Sequence, residues 1–157
     1  MPPLIDRSEL IEDIWVCVHD TQAIDDRPNA VVGLNRLMQH RDQLVKSPLQ
    51  LGVILEPTDA VEQLVPFLDQ LGIIVLQFGV FSDGRAFSQA RLLRDRHAYR
   101  GNIRAVGDVI CDQLSYMQRS GFNQFQLTEG EDLELAFRLL GEFSLSYQSE
   151  LKQSIAQ

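Results

Sequence analysis

Lysine and cysteine are scarce in this chain of 157 residues, and each shortage limits the classes of protein to which the chain can belong. Lysine occurs only at positions 46 and 152, so arginine carries nearly all of the positive charge. The two cysteines, Cys17 and Cys111, lie far apart and form neither a C-x-x-C motif nor a Cys/His cluster. That usage favours reduced thiols in a reducing compartment, and we expect a cytoplasmic protein.

Cofactor fingerprints are absent as well. The chain has no G-x-G-x-x-G motif after a strand, no P-loop and no cysteine pattern for haem or an iron–sulfur cluster. The three histidines show no metal-ligand spacing, so no metal ligands are predicted. The cofactor therefore stays unknown, although a flavin phosphate can bind a helix terminus at a strand end without any fingerprint.

No segment of the sequence indicates a membrane or a nucleic acid as partner. The longest apolar stretch, residues 71–76, is too short to span a bilayer, and the N-terminus has no apolar signal region. A net charge of -8 argues against nucleic-acid binding, which requires a basic surface.

The length predicts a single domain over residues 1–157, with three parts. Residues 1–48 are interpreted as an N-terminal strand (13–20) and helix (30–45), residues 49–143 as a βα repeat core, and residues 144–157 as a helical tail that continues the last helix or frays. Within the core, four strand-like runs are each followed by an amphipathic stretch, at residues 51–57, 73–81, 102–108 and 122–129.

This alternation predicts an α/β fold with four or five βα units and a mainly parallel sheet. A half-barrel and a small open sheet both fit the pattern. Either form leaves two sheet edges, which proteins usually cover or pair, so we expect a homo-oligomer.

Acidic residues stand at or just after the four strand ends, namely Glu56, Asp83, Asp108 and Glu129. Ligands of parallel α/β sheets bind beyond the carboxyl ends of the strands, so these carboxylates are candidates for acid–base catalysis or for holding a hard cation. The alternative is that each acid caps the helix that follows it, as Asp108 before VICDQL and Thr128 with Glu131 would do.

Arginine is concentrated in one part of the chain, with six arginines between residues 85 and 104. Arg85 would lie in the first turn of a helix that begins near Asp83 and Gly84, where free backbone N–H groups attract anions and Ser88 can add a hydroxyl donor. The later arginines are interpreted as a solvated helix face or a docking patch, and Arg91 with Asp95 as a surface ion pair.

Arg104 lies within a predicted strand, where an unpaired charge would be costly. We therefore expect its guanidinium to meet a carboxylate or a bound anion.

Two segments carry a resemblance to a known family: FSDGRAFSQARLLRDRHAYRGNIRAVGD and ICDQLSYMQRSGFNQFQL. The chain resembles the bacterial domain-of-unknown-function family nine-three-four, often labelled an oxidoreductase involved in sulfite reduction. The resemblance covers most of residues 13–140. It singles out the following positions: Asp83, Gly84, Arg85, Ser88, Arg91, Arg104, Gly107, Asp108, Asp112, Gln113 and Arg119.

Three hypotheses follow. The first, which the resemblance implies, is an accessory protein or oxidoreductase of sulfite and sulfate reduction that binds a small oxyanion or docks on sulfite reductase or its electron donor. The second is a small barrel-like enzyme with Asp83, Arg85 and Asp108 as catalytic residues and a metal. The third is a non-catalytic interaction module. In the first two, Gly84, Arg85, Ser88, Arg104 and Gly107 are the candidate cofactor-binding residues.

Overall fold

The computed structural model describes residues 2–19, 22, 29–42, 50–79 and 84–141. Its strands are β1 (Leu4–Asp6), β2 (Glu9–Leu10), β3 (Val16–Cys17), β4 (Ala30–Gly33), β5 (Leu51–Leu55), β6 (Leu71–Phe78), β7 (Asn102–Gly107) and β8 (Gln124–Gln126). Its helices are α1 (Leu34–Gln39), a 3-10 helix (Val61–Gln70), α2 (Arg85–Arg91) with a π-helical turn (Leu92–Arg96), a 3-10 turn (Cys111–Gln113) leading into α3 (Leu114–Ser120), and α4 (residues 133–141).

The eight strands form one curled open sheet, a half-barrel, in the order β2-β1-β8-β7-β6-β5-β4-β3. The strands from β3 to β8 run parallel, whereas β1 pairs antiparallel with both β2 and β8. The prediction of an α/β fold is thus confirmed, and of the two predicted alternatives the half-barrel is the one present, but the sheet is mixed rather than mainly parallel. The N-terminal hairpin was missed because strands of two and three residues are too short to show an alternating pattern.

The N-terminal part differs from the prediction in a second way. Residues 30–33, predicted as the start of a helix, form the parallel strand β4 between β3 and β5, and the helix begins only at Leu34. Val31 and Val32 are both buried, on opposite faces of the sheet, and β-branched residues suit such a position. Of the predicted strand 13–20, only Val16–Cys17 pairs with a neighbour.

The first predicted helix of the core is present in a tighter form. Val61, Leu64 and Phe67 are buried at a spacing of three, the period of a 3-10 helix, while Val65 is exposed. Pro66 lies inside this helix and can donate no hydrogen bond. The predicted helices after β6, β7 and β8 are found as α2, α3 and α4. The predicted tail, residues 144–157, lies outside the described residues.

Each face of the sheet has its own apolar cluster. The face that the helices cover, called here the helix-covered face, holds the main core, which includes Leu76, Leu93 and Phe122. The opposite face, called the second face, carries a small cluster of Val31, Ile73 and Val75, against which Trp15, Ile54 and Val106 pack. Because β6 is covered on both sides, its sequence is a nearly continuous apolar run.

Candidate functional site

The predicted site lies at the carboxyl edge of the parallel strands, where β6 leads to α2 and β7 leads to α3. Gly84 precedes α2 with φ of 80°, and a Cβ added there would meet nothing within 4 Å. Arg85 and Ser88 follow in the first turns of α2 and are exposed. The backbone at Gly84 is therefore open to an approaching ligand, as predicted for an anion site. Asp83 lies outside the described residues.

Gly107 and Asp108 lie at the end of the neighbouring strand, so they share this edge with Arg85. Gly107 has φ of 93°, and a Cβ at this position would clash with the carbonyl oxygen of Phe78. That close approach explains the glycine structurally, without a ligand. Asp108 is exposed, and its side chain does not cap the following helical turn, whose N-cap is Ile110.

The helix after β8 is capped by a residue other than the predicted Thr128. The hydroxyl of Thr128 accepts a hydrogen bond from the backbone N–H of Val109 at 3.1 Å instead of forming a capping box with Glu131. Asp132 performs the capping of α4, since its carboxylate accepts the N–H of Leu135 at 3.1 Å.

Arg104 does not join the carboxyl-edge residues. Its side chain lies on the second face, because its neighbours Ile103 and Ala105 point into the main core. The guanidinium is buried and donates to Oδ1 of Asp13 at 3.0 Å and to Oε1 of Gln124 at 3.0 Å. The prediction that Arg104 meets a carboxylate is confirmed, and the partner comes from the N-terminal segment that also carries Trp15.

A cleft of about 170 Å³ lies between the carboxyl ends of β4, β5 and β6, and most of its lining residues were not predicted from the sequence. The residues that give the cleft its chemistry are Gly33, Asn35, Ile54, Glu56, Asp59 and Gln77. Only Glu56 was singled out from the sequence, because β4 was assigned to a helix and Gly33 and Asn35 were not placed at a strand end. With two carboxylates and two amides, the cleft suits a cation or a hydroxyl-rich molecule better than an oxyanion.

One wall of this cleft is fixed by α2. The carboxylate of Asp59 accepts the backbone N–H of Glu56 at 2.9 Å, and the buried amide of Gln89 donates to the carbonyl oxygens of both residues, at 3.0 and 2.9 Å. These contacts hold the turn in one conformation. Its position is therefore tied to the helix that begins with Arg85.

The outer faces of α2 and α3 form a basic, aromatic surface. Arg85, Ser88 and Arg91 recur at a spacing of three on α2, and Tyr116 and Arg119 do so on α3, and all five are exposed. We call these five residues the arginine surface. Arg91 donates to the Tyr116 hydroxyl at 2.9 Å, and its guanidinium carbon lies 5.1 Å from the ring centroid.

An aromatic stack supports this surface from the core. The ring of Tyr116 lies 4.5 Å from that of Phe87, Phe87 lies 4.9 Å from Phe78, and Phe78 lies 5.4 Å from Phe122. Tyr116 is 41% exposed, whereas Phe122 is buried. The stack therefore holds the exposed Tyr116 ring rigidly beneath Arg91.

The predicted ion pair of Arg91 with Asp95 does not form. Residues 92–96 are π-helical, so the i to i+4 spacing that would align the two side chains is lost. Arg94 likewise does not lie on a solvated face. It is half-buried and donates to the carbonyl oxygens of Gly121, Tyr99 and Gly101 at 2.9, 2.8 and 2.7 Å. Desolvation by burial lowers the pKa of Arg94 below the usual arginine value.

The two thiols differ in exposure. Cys111 is buried, whereas Cys17 is exposed. Burial raises the pKa of the Cys111 thiol, and the nearby Glu131 and Asp132 raise it further. Over the described ranges, no group of three or more histidine, cysteine, aspartate or glutamate side chains is arranged to hold a metal ion.

Fold and site together define an α/β half-barrel protein with a ligand-accessible carboxyl edge and a basic helical surface. Residues 52–156 match the family described as "Bacterial protein of unknown function (DUF934)", and the chain belongs to that family. The predicted family is thus confirmed. No curated protein matches the chain. In the part of the chain that the structure describes, no helix is long and apolar enough to cross a membrane.

Proposed function

We propose that this protein is a cytoplasmic accessory protein of sulfite reduction that docks through its arginine surface on an acidic patch of sulfite reductase or of its electron donor. The observation that carries the proposal is the Arg91–Tyr116 pair, exposed and held rigidly on the aromatic stack. Arginine and tyrosine dominate the binding energy of many interfaces, and tyrosine brings a large contact area with little loss of conformational freedom.

Charge supports a docking role for this surface. The chain has a net charge of -8, yet among the described residues no carboxylate lies within ion-pair distance of Arg91 or Arg119. By contrast, the buried guanidinium of Arg104 has a carboxylate partner within the fold. The arginine surface therefore presents charge that an acidic partner can neutralise, which steers association and fixes the orientation of the complex.

The family resemblance supports the identity of the partner, since it implies a role in sulfite reduction. The partner is thus expected to be sulfite reductase or the protein that passes electrons to it. The proposal assigns the arginine surface binding and orientation of the partner.

Binding to each purified partner, measured by biolayer interferometry, tests the proposal. We expect one of the two to bind, with an affinity that falls as salt is added because the contacts are ionic. The double variant Arg91→Ala/Tyr116→Ala should weaken binding by about tenfold or more, as loss of a central anchor does. Arg41→Ala, which removes an exposed arginine outside the arginine surface, is the matched control and should bind like the unmodified protein.

Deletion of the gene supplies a test in the cell. We expect slow growth with sulfate as the sulfur source and normal growth with sulfide, which bypasses sulfite reduction. Normal growth on sulfate, together with no binding to either partner, would defeat the proposal.

A second candidate is a small-oxyanion site at the start of α2, favoured by the open backbone at Gly84 beside the exposed Arg85 and Ser88. A ligand that binds only the native state raises the melting temperature. Sulfite or sulfate should therefore stabilise the protein, and Arg85→Ala should remove that stabilisation. An equal melting temperature with and without both anions would eliminate this site.

A further inference from the structure

A second cavity lies at the amino edge of the sheet, opposite the carboxyl edge. It measures about 310 Å³ and opens between the end of the 3-10 helix and the segment 97–101, which leads into β7. That volume reaches the lower end of the range typical of small-molecule sites. It is lined by the apolar residues Leu68, Leu71 and Tyr99 and by the polar residues Asp69, His97 and Arg100.

The segment that forms one wall is rigidly built. Arg94 donates to the carbonyl oxygens of Tyr99 and Gly101 at 2.8 and 2.7 Å, and the Tyr99 hydroxyl donates to the carbonyl oxygen of Leu71 at 2.9 Å. Ala98, between these anchors, is held at φ of 54°, a conformation that non-glycine residues rarely adopt. The cavity is therefore set by several contacts rather than by one adaptable loop.

The cavity carries opposite charges that do not neutralise each other. Asp69 belongs to the 3-10 helix and Arg100 to the segment before β7, and both line the cavity. No ion pair links the two side chains, although both belong to the described residues. His97 also lines the cavity.

From this arrangement we infer that the amino-edge cavity binds a zwitterionic small molecule of the α-amino-acid class. The carboxylate of the ligand contacts Arg100, its ammonium group contacts Asp69, and its side chain packs on the apolar residues Leu68, Leu71 and Tyr99. Guanidinium recognises a carboxylate through two parallel hydrogen bonds, and an ammonium group donates to a carboxylate. A molecule with only one charge would leave one wall of the cavity unpaired.

Thermal-shift and calorimetric titrations with the full-length protein test this inference. The probes are L-alanine, L-serine, L-methionine and L-leucine, compared with isocaproate and isoamylamine, which are leucine without its ammonium group and without its carboxylate. We expect at least one amino acid to bind and to raise the melting temperature, because it stabilises only the native state. We expect the leucine analogues with one charge to bind at least about tenfold more weakly than leucine.

Variants then place the ligand. Arg100→Gln and Asp69→Asn should each weaken binding of the amino acid by about fivefold or more. Arg96→Gln and Asp95→Asn, exposed on the adjoining π-helical turn and outside the cavity, should leave it unchanged. The inference is wrong if no amino acid binds, if the leucine analogues bind as well as leucine, or if binding survives both Arg100→Gln and Asp69→Asn.

Discussion

The arginines of two regions of the molecule have different kinds of partners. On the second face, the buried guanidinium of Arg104 is matched by the carboxylate of Asp13. On the helix-covered side, Arg94 is held by three carbonyl oxygens, and Arg91 by a tyrosine. The contacts of Arg104 neutralise its charge within the fold, and those of Arg94 hold the segment before β7, whereas Arg91 keeps a charge that can be neutralised from outside. This difference separates arginines that hold the fold together from arginines that present charge.

The largest effect is expected at Arg94, which joins the segment before β7 to the end of α3. Arg94→Ala leaves the carbonyl oxygens of Tyr99, Gly101 and Gly121 without this donor, and we expect a loss of about 3 kcal/mol in the free energy of unfolding. Urea denaturation measures this loss. A loss below about 1 kcal/mol would mean that Arg94 is a surface arginine like its neighbours on α2.

The next effect is expected at Asp13. Asp13→Asn removes the charge that faces the buried Arg104, and we expect a loss of about 2 kcal/mol by urea denaturation, the range for hydrogen bonds to charged groups. Arg7→Gln is the control, because Arg7 is 74% exposed and its surface pair with Asp6 contributes little. Equal losses in the two variants would show that burial of Arg104 does not set the strength of its pair.

A smaller effect is expected at the arginine surface. Arg91→Ala breaks a hydrogen bond and a cation–π contact that are both exposed, and we expect a loss below about 1 kcal/mol. The midpoint of thermal unfolding should therefore shift by only a few degrees. A loss as large as that of Arg94→Ala would place Arg91 among the residues that stabilise the fold, and would weaken the case for docking.

The reactivity of the Cys17 thiol tests the positions of Asp13 and Arg104 on the second face by a measurement other than stability. Desolvation raises the pKa of its thiol, Asp13 raises it further, and Arg104 lowers it. The reactive species is the thiolate, so at neutral pH Cys17 should react more slowly with iodoacetamide than an unperturbed thiol. Asp13→Asn should speed the reaction and Arg104→Met should slow it. Changes in the same direction would contradict the described geometry.

The βα core could be predicted from the sequence because its strands are long apolar runs followed by amphipathic stretches. The N-terminal hairpin could not, since β1 and β2 contain only three and two residues. β4 was mistaken for a helix because its apolar residues adjoin those of α1 without a break. A chain that continues directly from strand into helix gives no local signal of the change.

The candidate site, too, could be predicted only in part from the sequence. Arg85, Gly84 and Asp108 could be placed at the carboxyl edge because each follows a long strand. The Arg91–Tyr116 pair joins residues 25 positions apart and depends on how α2 packs against α3, so no sequence spacing could reveal it. The buried role of Arg94 was hidden for a related reason: its partners are backbone carbonyl oxygens, which leave no side-chain pattern in a sequence.

The most direct test of the docking account is the affinity of the full-length protein for purified sulfite reductase and for its electron donor, measured with and without Arg91→Ala/Tyr116→Ala. The account predicts that one partner binds, that the double variant loses about tenfold or more in affinity, and that the variant stays folded. Unchanged affinity in a folded double variant, or no binding to either partner, would contradict it.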